Sequence, residues 1–473
     1  MSNEIKKIIN RSEDFAKWYT SVVQEAKLIQ YYDVKGTMIF QPYGWEIWEL
    51  IKNNLDIELK KTGSKNLSMP TFIPLSDFER EKEHVEGFSP ELYTITKIGN
   101  NELTEKLAIR PTSEIVFCKY WKKILTSYKE LPFKHNQWSN VFRAEKTTKP
   151  FLRNSEFYWQ ELHGLFDNEN DAINYALEIQ KLYSNFINNV LCIPNITGEK
   201  TPGERFAGAE KTFTIETIMQ DNQALQSATS HYLGQNFTKA YEISFQNKEN
   251  KIDIPYSTSH GLSTRIIGAI IMVHGDDNGL VLPFKIAPIQ IAILPLFISK
   301  NPEVLKFSKN IQDSLKEYRT YLDESNKSIG FMISEYQVQG VPFQIVIGPN
   351  DLANKTLTIF RRDLNIKETI NISDLNKYLS SEINTYNNNL FNKAKKYLDN
   401  AIVDVKTFDE FKENIKNNKW VRCHFDGSIE DEKKIKELTG ATPRCVVENA
   451  KHEKNCIITG KKTKNLVIFA RAY

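Results

Sequence analysis

The chain has 473 residues, of which 40% are hydrophobic, 26% charged and 11% aromatic. This length suggests roughly three domains, and the composition can build cores, which excludes a wholly disordered chain. Lys plus Arg number 62 against 59 Asp plus Glu, a net charge of +3 that does not by itself announce a nucleic-acid partner. Residues 286–473 carry +6 and the remainder −3. The basic part suits an anionic partner, with a solvated surface as the simpler account. The apolar runs Ile266–Val273 and Ile291–Ile298 fall short of the ~18 residues of a membrane span. MSNEIKKIINRSEDF has no signal-peptide apolar core. Five cysteines, an odd number, make no disulfide framework and fit a reducing compartment. The expected location is the cytoplasm, without membrane association.

In chain order, Ser12 is predicted to cap a helix with Glu13 and Asp14 in its first turn. Phe15, Trp18, Tyr19, Val22 and Ala26 follow at helical spacing. A second helix is predicted from near Gly44, with Trp48, Ile51, Leu55 and Leu59 as its stripe and Thr62–Gly63 as its stop. Residues Asn66–Pro74 read as extended. Val141–Phe166 reads as two strands joined by a loop. From Ala287 the pattern becomes α/β: a strand, a helix near Ser308–Ser325, a strand before Gly340, then the strand PFQIVIG. NTYNNNLFNKAKK is a helix or linker, and 400–473 reads as a third, smaller unit.

Chemistry concentrates in four places. In SNVFRAEKTTKPFLRNSEFYWQELHG, strand alternation puts Val141, Arg143 and Glu145 on one face, and Phe157, Trp159, Glu161 and His163 on one face of the next strand. Lys146, Lys149 and Arg153 sit in the connecting loop. A solvated face with ion pairs is the bland alternative. Aromatics alternating with charges make a poor surface, so a pocket is favoured. Arg grips planar phosphate or carboxylate groups bidentately. In LAIRPTSEIVF, Thr112-Ser113-Glu114 opens a helix and in isolation reads as a cap. QALQSATSHYLGQNF gathers Gln226, Ser227, Thr229, Ser230 and His231, although a lone histidine is more often structural. Arg265, after Ser263, falls where a strand gives way to a helix, a usual anion position. Neither GxxxxGK[ST] nor GxGxxG occurs, so a nucleotide would be held by arginines on a sheet.

With these strings in order, the chain resembles the class II aminoacyl-tRNA synthetases over nearly its whole length. It is most similar to prolyl-tRNA synthetases of the archaeal/eukaryotic-like form. FRAE…FLRNSEFYWQELH resembles the second class II signature and GLSTRIIGAIIMVH the third. GTMIFQPYGWEIWE with NLSMPTFIP resembles the first, at the dimer interface. RPTSE, ERFAGA and TSHYLGQNF are similar to strings particular to prolyl enzymes.

The resemblance implies an α+β catalytic domain on an antiparallel sheet of six or seven strands (1–286). It then implies an α/β anticodon-binding domain (287–386) and a small α+β C-terminal domain (387–473). It implies a homodimer that activates L-proline with ATP and Mg²⁺ and transfers it to tRNA(Pro). Arg143 would hold the α-phosphate and the proline carboxylate, Glu145 would contact ATP, and Arg265 beside Ser263 would hold the distal phosphates. Gln226 and Thr229 would face ATP. Thr112, Glu114 and His231 would meet proline, with Phe206, Trp159, Glu161 and His163 shaping the pocket. Arg361 and Arg362 match the family's anticodon-domain strand and are expected to meet tRNA. Tyr473 is expected to approach the catalytic site, as in related prolyl enzymes.

Departures are also implied. His260 replaces the family's usual aromatic and Gly164 its usual small polar residue. Gln344 and Val346 replace charged residues. The family's four-cysteine zinc site maps onto Asp426, Asp431, Cys456 and Thr459, so zinc is not expected. The interval Leu165–Thr258 is already filled by ERFAGA, TSHYLG and helices, so no editing insertion is expected. Two alternatives stay open: a class II synthetase for another amino acid, against which RPTSE with TSHYLG argues, and a non-catalytic RNA-binding paralogue. Against the second stand the retained Arg143 and Arg265 and all three units.

Overall fold

The computed structural model describes residues 8–78, 91–325 and 327–473; residues 1–7, on which the leader reading partly rests, lie outside them. Helix α1 (Phe15–Glu25) buries Trp18, Tyr19, Val22 and Val23. Its cap is Asp14 rather than Ser12. The Asp14 carboxylate accepts from the Lys17 backbone N–H at 3.0 Å, where it also meets the positive end of the helix. Helix α2 (Pro42–Lys61) buries the expected stripe and starts on a proline, whose missing N–H costs nothing in a first turn.

The main sheet is built from β1 (Lys65–Asn66), β3 (Phe133–Phe142), β4 (Glu156–Phe166), β5 (Ile196–Glu199), β6 (Lys211–Ile218), β7 (Ala224–Gly234) and β8 (Tyr256–Ser263). Their order is β5-β6-β7-β8-β4-β3-β1. All pairs are antiparallel except β1 with β3. Strand β2 (Asn101–Ile109) belongs to a separate three-stranded sheet and leads to helix α3 (Glu114–Ile124). Helix α4 (Glu169–Asn189) lays Ala172, Ala176, Ile179 and Tyr183 on one face of the large sheet. The opposite face carries the site. Helix α5 (Arg265–His274) is apolar and buried almost throughout, as its sequence suggests.

One local expectation changes here. Strand β3 stops at Phe142, so Arg143 and Glu145 lie in the loop beyond it rather than on a shared strand face. The Arg143 N–H still donates to Ser155 O at 2.8 Å, which pins the start of that loop.

The second unit has β9 (Ile291–Pro295), α6 (Pro302–Ser314), β10 (Thr320–Leu322), α7 (Ile329–Val338), β11 (Phe343–Ile347), β12 (Thr356–Arg361) and β13 (Ile366–Asn371). The sheet order is β10-β9-β11-β12-β13, with β9 parallel to both neighbours. The helix expected over Ser308–Ser325 starts earlier, on Pro302, and a strand follows it. The segment before Gly340 is helix α7, not a strand: Met332 and Tyr336, four apart, both face the core. Gly340 ends it at φ +73°, and a Cβ there would meet the Leu280 Cβ at 2.6 Å.

Helix α8 (Leu375–Ala401) realises the Asn-rich segment and contains the boundary expected at 386/387. Its Leu379, Tyr386 and Leu390 pack in the second unit, while Leu398 and Ala401 pack with Ile218, Ala224 and Trp420. The third unit has β14 (Ile402–Asp404), α9 (Phe408–Lys416), β15 (Trp420–His424), α10 (Ile429–Thr439), β16 (Thr442–Asn455) and β17 (Lys462–Ala470). Its strands continue the main sheet. Among the described residues, eleven strands run β14-β15-β17-β16-β5 and onward to β1. The junction is thin, a single register pair between Val446 and Glu199.

Candidate active site

A cavity of about 260 Å³ opens on the sheet face away from α4. Strand alternation decides which side chains reach it. Ser230 points to α4 and donates to Ala176 O at 2.5 Å, so Thr229 and His231 point the other way, into the cavity. Gln160 likewise meets Tyr183 of α4, while Trp159 lines the cavity.

Two arginines face this space. Arg143 lies 5.3 Å from the ring centres of both Phe157 and Trp159, and its Nε donates to Pro111 O at 3.0 Å. Burial lowers its pKa below the usual guanidinium range, opposed by the charges of Glu114, Glu161 and Glu145. Arg265, at the start of α5, donates through Nε to Leu152 O at 3.1 Å, and its backbone N–H to Ser263 Oγ at 3.3 Å. Burial, with the positive charges of Arg143 and Arg153, brings it down to about 10. Neither arginine has a carboxylate ion-pair partner among the described residues. Two half-buried, mutually repelling cations in one cavity favour an anion between them. Trp159 Nε1, buried, has no partner either, leaving a donor for a ligand acceptor.

The opposite end is acidic. Glu114 accepts from Thr112 Oγ1 and, at 2.8 Å, from Ser259 Oγ. Behind it, Glu161 accepts from Ser113 at 2.6 Å and faces His163 Nε2 at 3.2 Å. Burial raises the Glu161 pKa, but the hydrogen bonds and charge of His163, with Ser113 and Gln137, outweigh it and hold it below the ordinary range. His163 stacks on Phe117 at 4.1 Å. His231 contacts Thr212 Oγ1 through Nδ1 at 3.0 Å and lies 4.7 Å from the Phe206 ring. Burial, with a smaller push from His163, lowers its pKa to about 3, so it is neutral at physiological pH.

The cavity thus brings together Thr112, Glu114, Arg143, Trp159, Phe206, Gln226, Thr229, His231, Ser263 and Arg265. Glu161 and His163 lie behind its wall, and Glu145 stands outside it, 3.8 Å from Arg153. The sequence reading missed Glu204, Arg205 and Ser259, which line it. Glu204 and Arg205 adjoin Phe206 within ERFAGA, and Ser259 alternates with Gly261 and Ser263 on β8; both signals were available.

Arg361 and Arg362 do not fit direct tRNA contact. Arg361 pairs with Asp363 at 2.9 Å and with Glu382; Arg362 is 0% exposed and pairs with Asp276. Each guanidinium is used up inside the protein, so the two are joints rather than contacts. The positions onto which the family's zinc site maps are also engaged. Cys456 Sγ accepts from the N–H groups of Asp426 at 3.4 Å and Thr459 at 3.5 Å, while Asp431 caps α10.

The two departures His260 and Gly164 are physically linked. His260 Nδ1 meets Ser230 Oγ at 2.7 Å and Nε2 meets Thr258 Oγ1 at 2.9 Å. A Cβ on Gly164 would fall 2.4 Å from that same Thr258 Oγ1. The bare position at 164 leaves Thr258 free to satisfy the histidine.

This sheet, its paired arginines and the appended α/β unit define a class II aminoacyl-tRNA synthetase. Residues 93–274 match the tRNA synthetase class II core domain (G, H, P, S and T) and residues 290–382 the anticodon binding domain. Residues 408–473 match the prolyl-tRNA synthetase C-terminal family. The proline–tRNA ligase of Ureaplasma urealyticum serovar 10 is 52% identical, covering 100% of both chains. That of Malacoplasma penetrans is 48% identical over 99% of this chain and 100% of its own. The crystal structure of prolyl-tRNA synthetase from Cryptosporidium parvum, complexed with halofuginone and AMPPNP, aligns with a TM-score of 0.95 at 33% identity. It covers 99% of this chain and 100% of that one. The chain belongs to the proline–tRNA ligase family. Among the described residues no helix is long and apolar enough to cross a membrane.

Proposed function

We propose that the cavity activates L-proline with ATP and then passes the prolyl group to the 3′ end of tRNA(Pro), with the named residues in the following roles. The observation that carries this reading is the pair Arg143 and Arg265, two half-buried guanidiniums with no carboxylate ion-pair partner among the described residues, at one end of a cavity whose other end is Glu114. A proline carboxylate oxygen attacks the α-phosphorus of ATP, the bond to the β-phosphate oxygen breaks, and pyrophosphate leaves. The carboxylate is already a nucleophile, so no general base is required. The rate gain comes from alignment and from neutralising charge at phosphorus. Arg143 meets the α-phosphate and the proline carboxylate; Arg265, beside Ser263, meets the distal phosphates. Gln226 and Thr229 form the ATP wall, and Glu145 meets ATP from the loop.

Proline's ammonium has two N–H donors, which the acceptors of Thr112 and Glu114 match in number. Neutral His231, Phe206 and Trp159 close around the ring, and Glu161 with His163 supports the floor. In the second step the terminal hydroxyl of tRNA attacks the prolyl carbonyl and AMP leaves.

Mg²⁺ bound with ATP would neutralise phosphate charge. Among the described residues no cluster of three or more His, Cys, Asp or Glu could hold a metal ion. Glu145 and Gln226 offer only isolated oxygens, which suits an ion that keeps waters and phosphate oxygens as its main ligands.

The form is the archaeal/eukaryotic-like one without an editing insertion, because the interval 165–258 is filled by β5 to β7 and their connections. The working unit is a homodimer in the cytoplasm. Proline-dependent ATP–pyrophosphate exchange, followed by charging of tRNA(Pro), tests the reading. Exchange driven by threonine or serine instead, or no exchange at all, overturns it.

A further inference from the structure

We propose that Arg444, in the third unit, is a positioning residue for the ATP wall of the catalytic cavity and acts through Glu216 of β6. Arg444 lies 228 residues from Glu216 in sequence, yet its Nε and Nη2 donate to Glu216 Oε2 at 3.0 and 2.9 Å. Lys200 Nζ and Thr214 Oγ1 donate to the other oxygen at 2.9 and 2.7 Å. Arg444 Nη1 is steadied by Thr442 Oγ1 at 3.0 Å. Glu216, Lys200 and Arg444 are 0%, 3% and 6% exposed. The carboxylate is therefore saturated by four donors, and its pKa stays at about 2: burial raises it, but Arg444 and Lys200 outweigh burial.

A buried ion cluster is a poor device for stability alone, since well-packed apolar groups dock two units at less desolvation cost. Its position supplies another reason. Glu216 is the cross-strand partner of Gln226, which lines the cavity, and Thr214 is the partner of Thr229, which also lines it. Between these pairs the register breaks: Ile215 faces Ala228 and Glu216 faces Gln226, leaving Ser227 as the extra residue. A bulge bends its strand and re-aims side chains, and it leaves a ladder less firmly specified. The ATP wall thus contains an irregular step, and the residue opposite that step is the one the cluster holds.

The third unit meets this part of the sheet at few ladder positions: one register pair between β16 and β5, and a bridge from Ala472 to Ala224 of β7. With the Arg444 fork in place, Glu216 fixes β6, and β6 sets where Gln226, Ser227 and Thr229 stand.

This inference rests on the ATP–proline reading of the cavity. Exchange by the wild-type chain tests that reading separately, whereas the variants test only the link. Arg444→Met and Arg444→Lys are compared in ATP–pyrophosphate exchange, with KM for ATP and for proline measured independently and Tm recorded. Arg444→Met should raise KM for ATP about threefold to tenfold, a coupling usual for groups in one ion network. KM for proline should stay within about twofold on the same grounds. Arg444→Lys, which keeps the charge but loses the fork, should fall between. Should Arg444→Met fail to fold, Arg444→Lys carries the test alone. A folded variant whose KM for ATP is unchanged, or in which both KM values rise together with a fallen Tm, overturns the proposal and leaves Arg444 as interdomain cement.

Discussion

Arg362 in the second unit grips Asp276, just beyond α5, with both terminal nitrogens: Nη1 to Oδ2 at 2.7 Å and Nη2 to Oδ1 at 2.5 Å. The same guanidinium donates to Asn365 Oδ1 at 3.0 Å and to Gln337 O at 3.1 Å. The helix whose first residue is Arg265 is therefore tied at its far end to the anticodon-binding unit. Breaking such a pair from one side strands a buried charge, at about 3–5 kcal/mol. Asp276→Ala should lower unfolding free energy in denaturant by that order. It should also reduce tRNA charging more than ATP–pyrophosphate exchange, because the catalytic cavity itself is untouched. Equal losses in both assays would refute an interdomain role.

The pair also fixes a pH dependence. Burial raises the Asp276 pKa, but the hydrogen bond and charge of Arg362 outweigh it, leaving the carboxyl below its usual value of 3.8. A depressed folded pKa means that the contribution is complete above the unfolded value and is lost as pH falls through the folded one. Asp276→Asn should therefore flatten the acid limb of the stability curve below about pH 4. An unchanged limb would show that other carboxylates carry it.

Arg143→Ala removes a preorganised cation from between two aromatic rings, 5.3 Å from each centre. Loss of such a donor costs on the order of 10²–10³ in rate. Adenylate formation should nearly vanish in a protein with a normal melt, because the rings that flank Arg143 pack without it. Near-normal exchange would remove Arg143 from the mechanism.

The features that were legible in the sequence share one property: their reasons are local. Arg265 could be placed because a strand visibly becomes an apolar helix there, and Trp159 because β4 alternates. The segment before Gly340 reads as a strand only if its short apolar content is weighed without its spacing; Met332 and Tyr336, four apart, share the face that packs on the sheet. Arg361 and Arg362 were expected at tRNA only through the family resemblance, and their partners Glu382 and Asp276 lie 21 and 86 residues away. Glu114 gave no hint of Ser259, 145 residues on. For Arg362 and Glu114 it is long-range pairing, which no local pattern encodes, that decides the role.

The acidic end of the cavity makes a prediction about proline alone. Glu114→Gln should raise KM for proline roughly tenfold to a hundredfold, the value of one charge-assisted hydrogen bond, and spare KM for ATP. His231, held neutral with a pKa of about 3, adds a pH test. KM for proline should show no imidazole titration between about pH 5 and 8, where an ordinary histidine would change charge. A titration near 6.5 that disappears in His231→Asn would contradict the neutral-ring assignment.

Tyr473 lines a cavity together with Arg265. Its Oη donates to Asp221 Oδ2 at 2.5 Å, its N–H donates to Ala224 O at 3.1 Å, and Lys149 Nζ sits 4.8 Å from its ring centre. With Arg153, Arg265 and Lys149 it walls a second cavity of about 380 Å³. The bland account is a ring that merely packs. The arrangement argues for more, because Lys149 is caught between Tyr473 and Tyr19, 5.0 Å from the latter, and its loop is the one that begins at Arg143. Burial lowers the Lys149 pKa, opposed by the charges of Asp221 and Asp14, and the flanking rings add cation–π attraction that holds the ammonium in place. Tyr473→Ala should let this loop drift and reduce tRNA charging roughly threefold to tenfold, the range of a partly desolvated cation–π contact. Tyr473→Phe keeps the ring over Lys149 and loses only the bond to Asp221, so it should retain most of the activity. Were Tyr473→Ala to lower Tm while the folded fraction charges tRNA at the wild-type rate, the ring would be a packing residue and the loop would owe its order to other contacts.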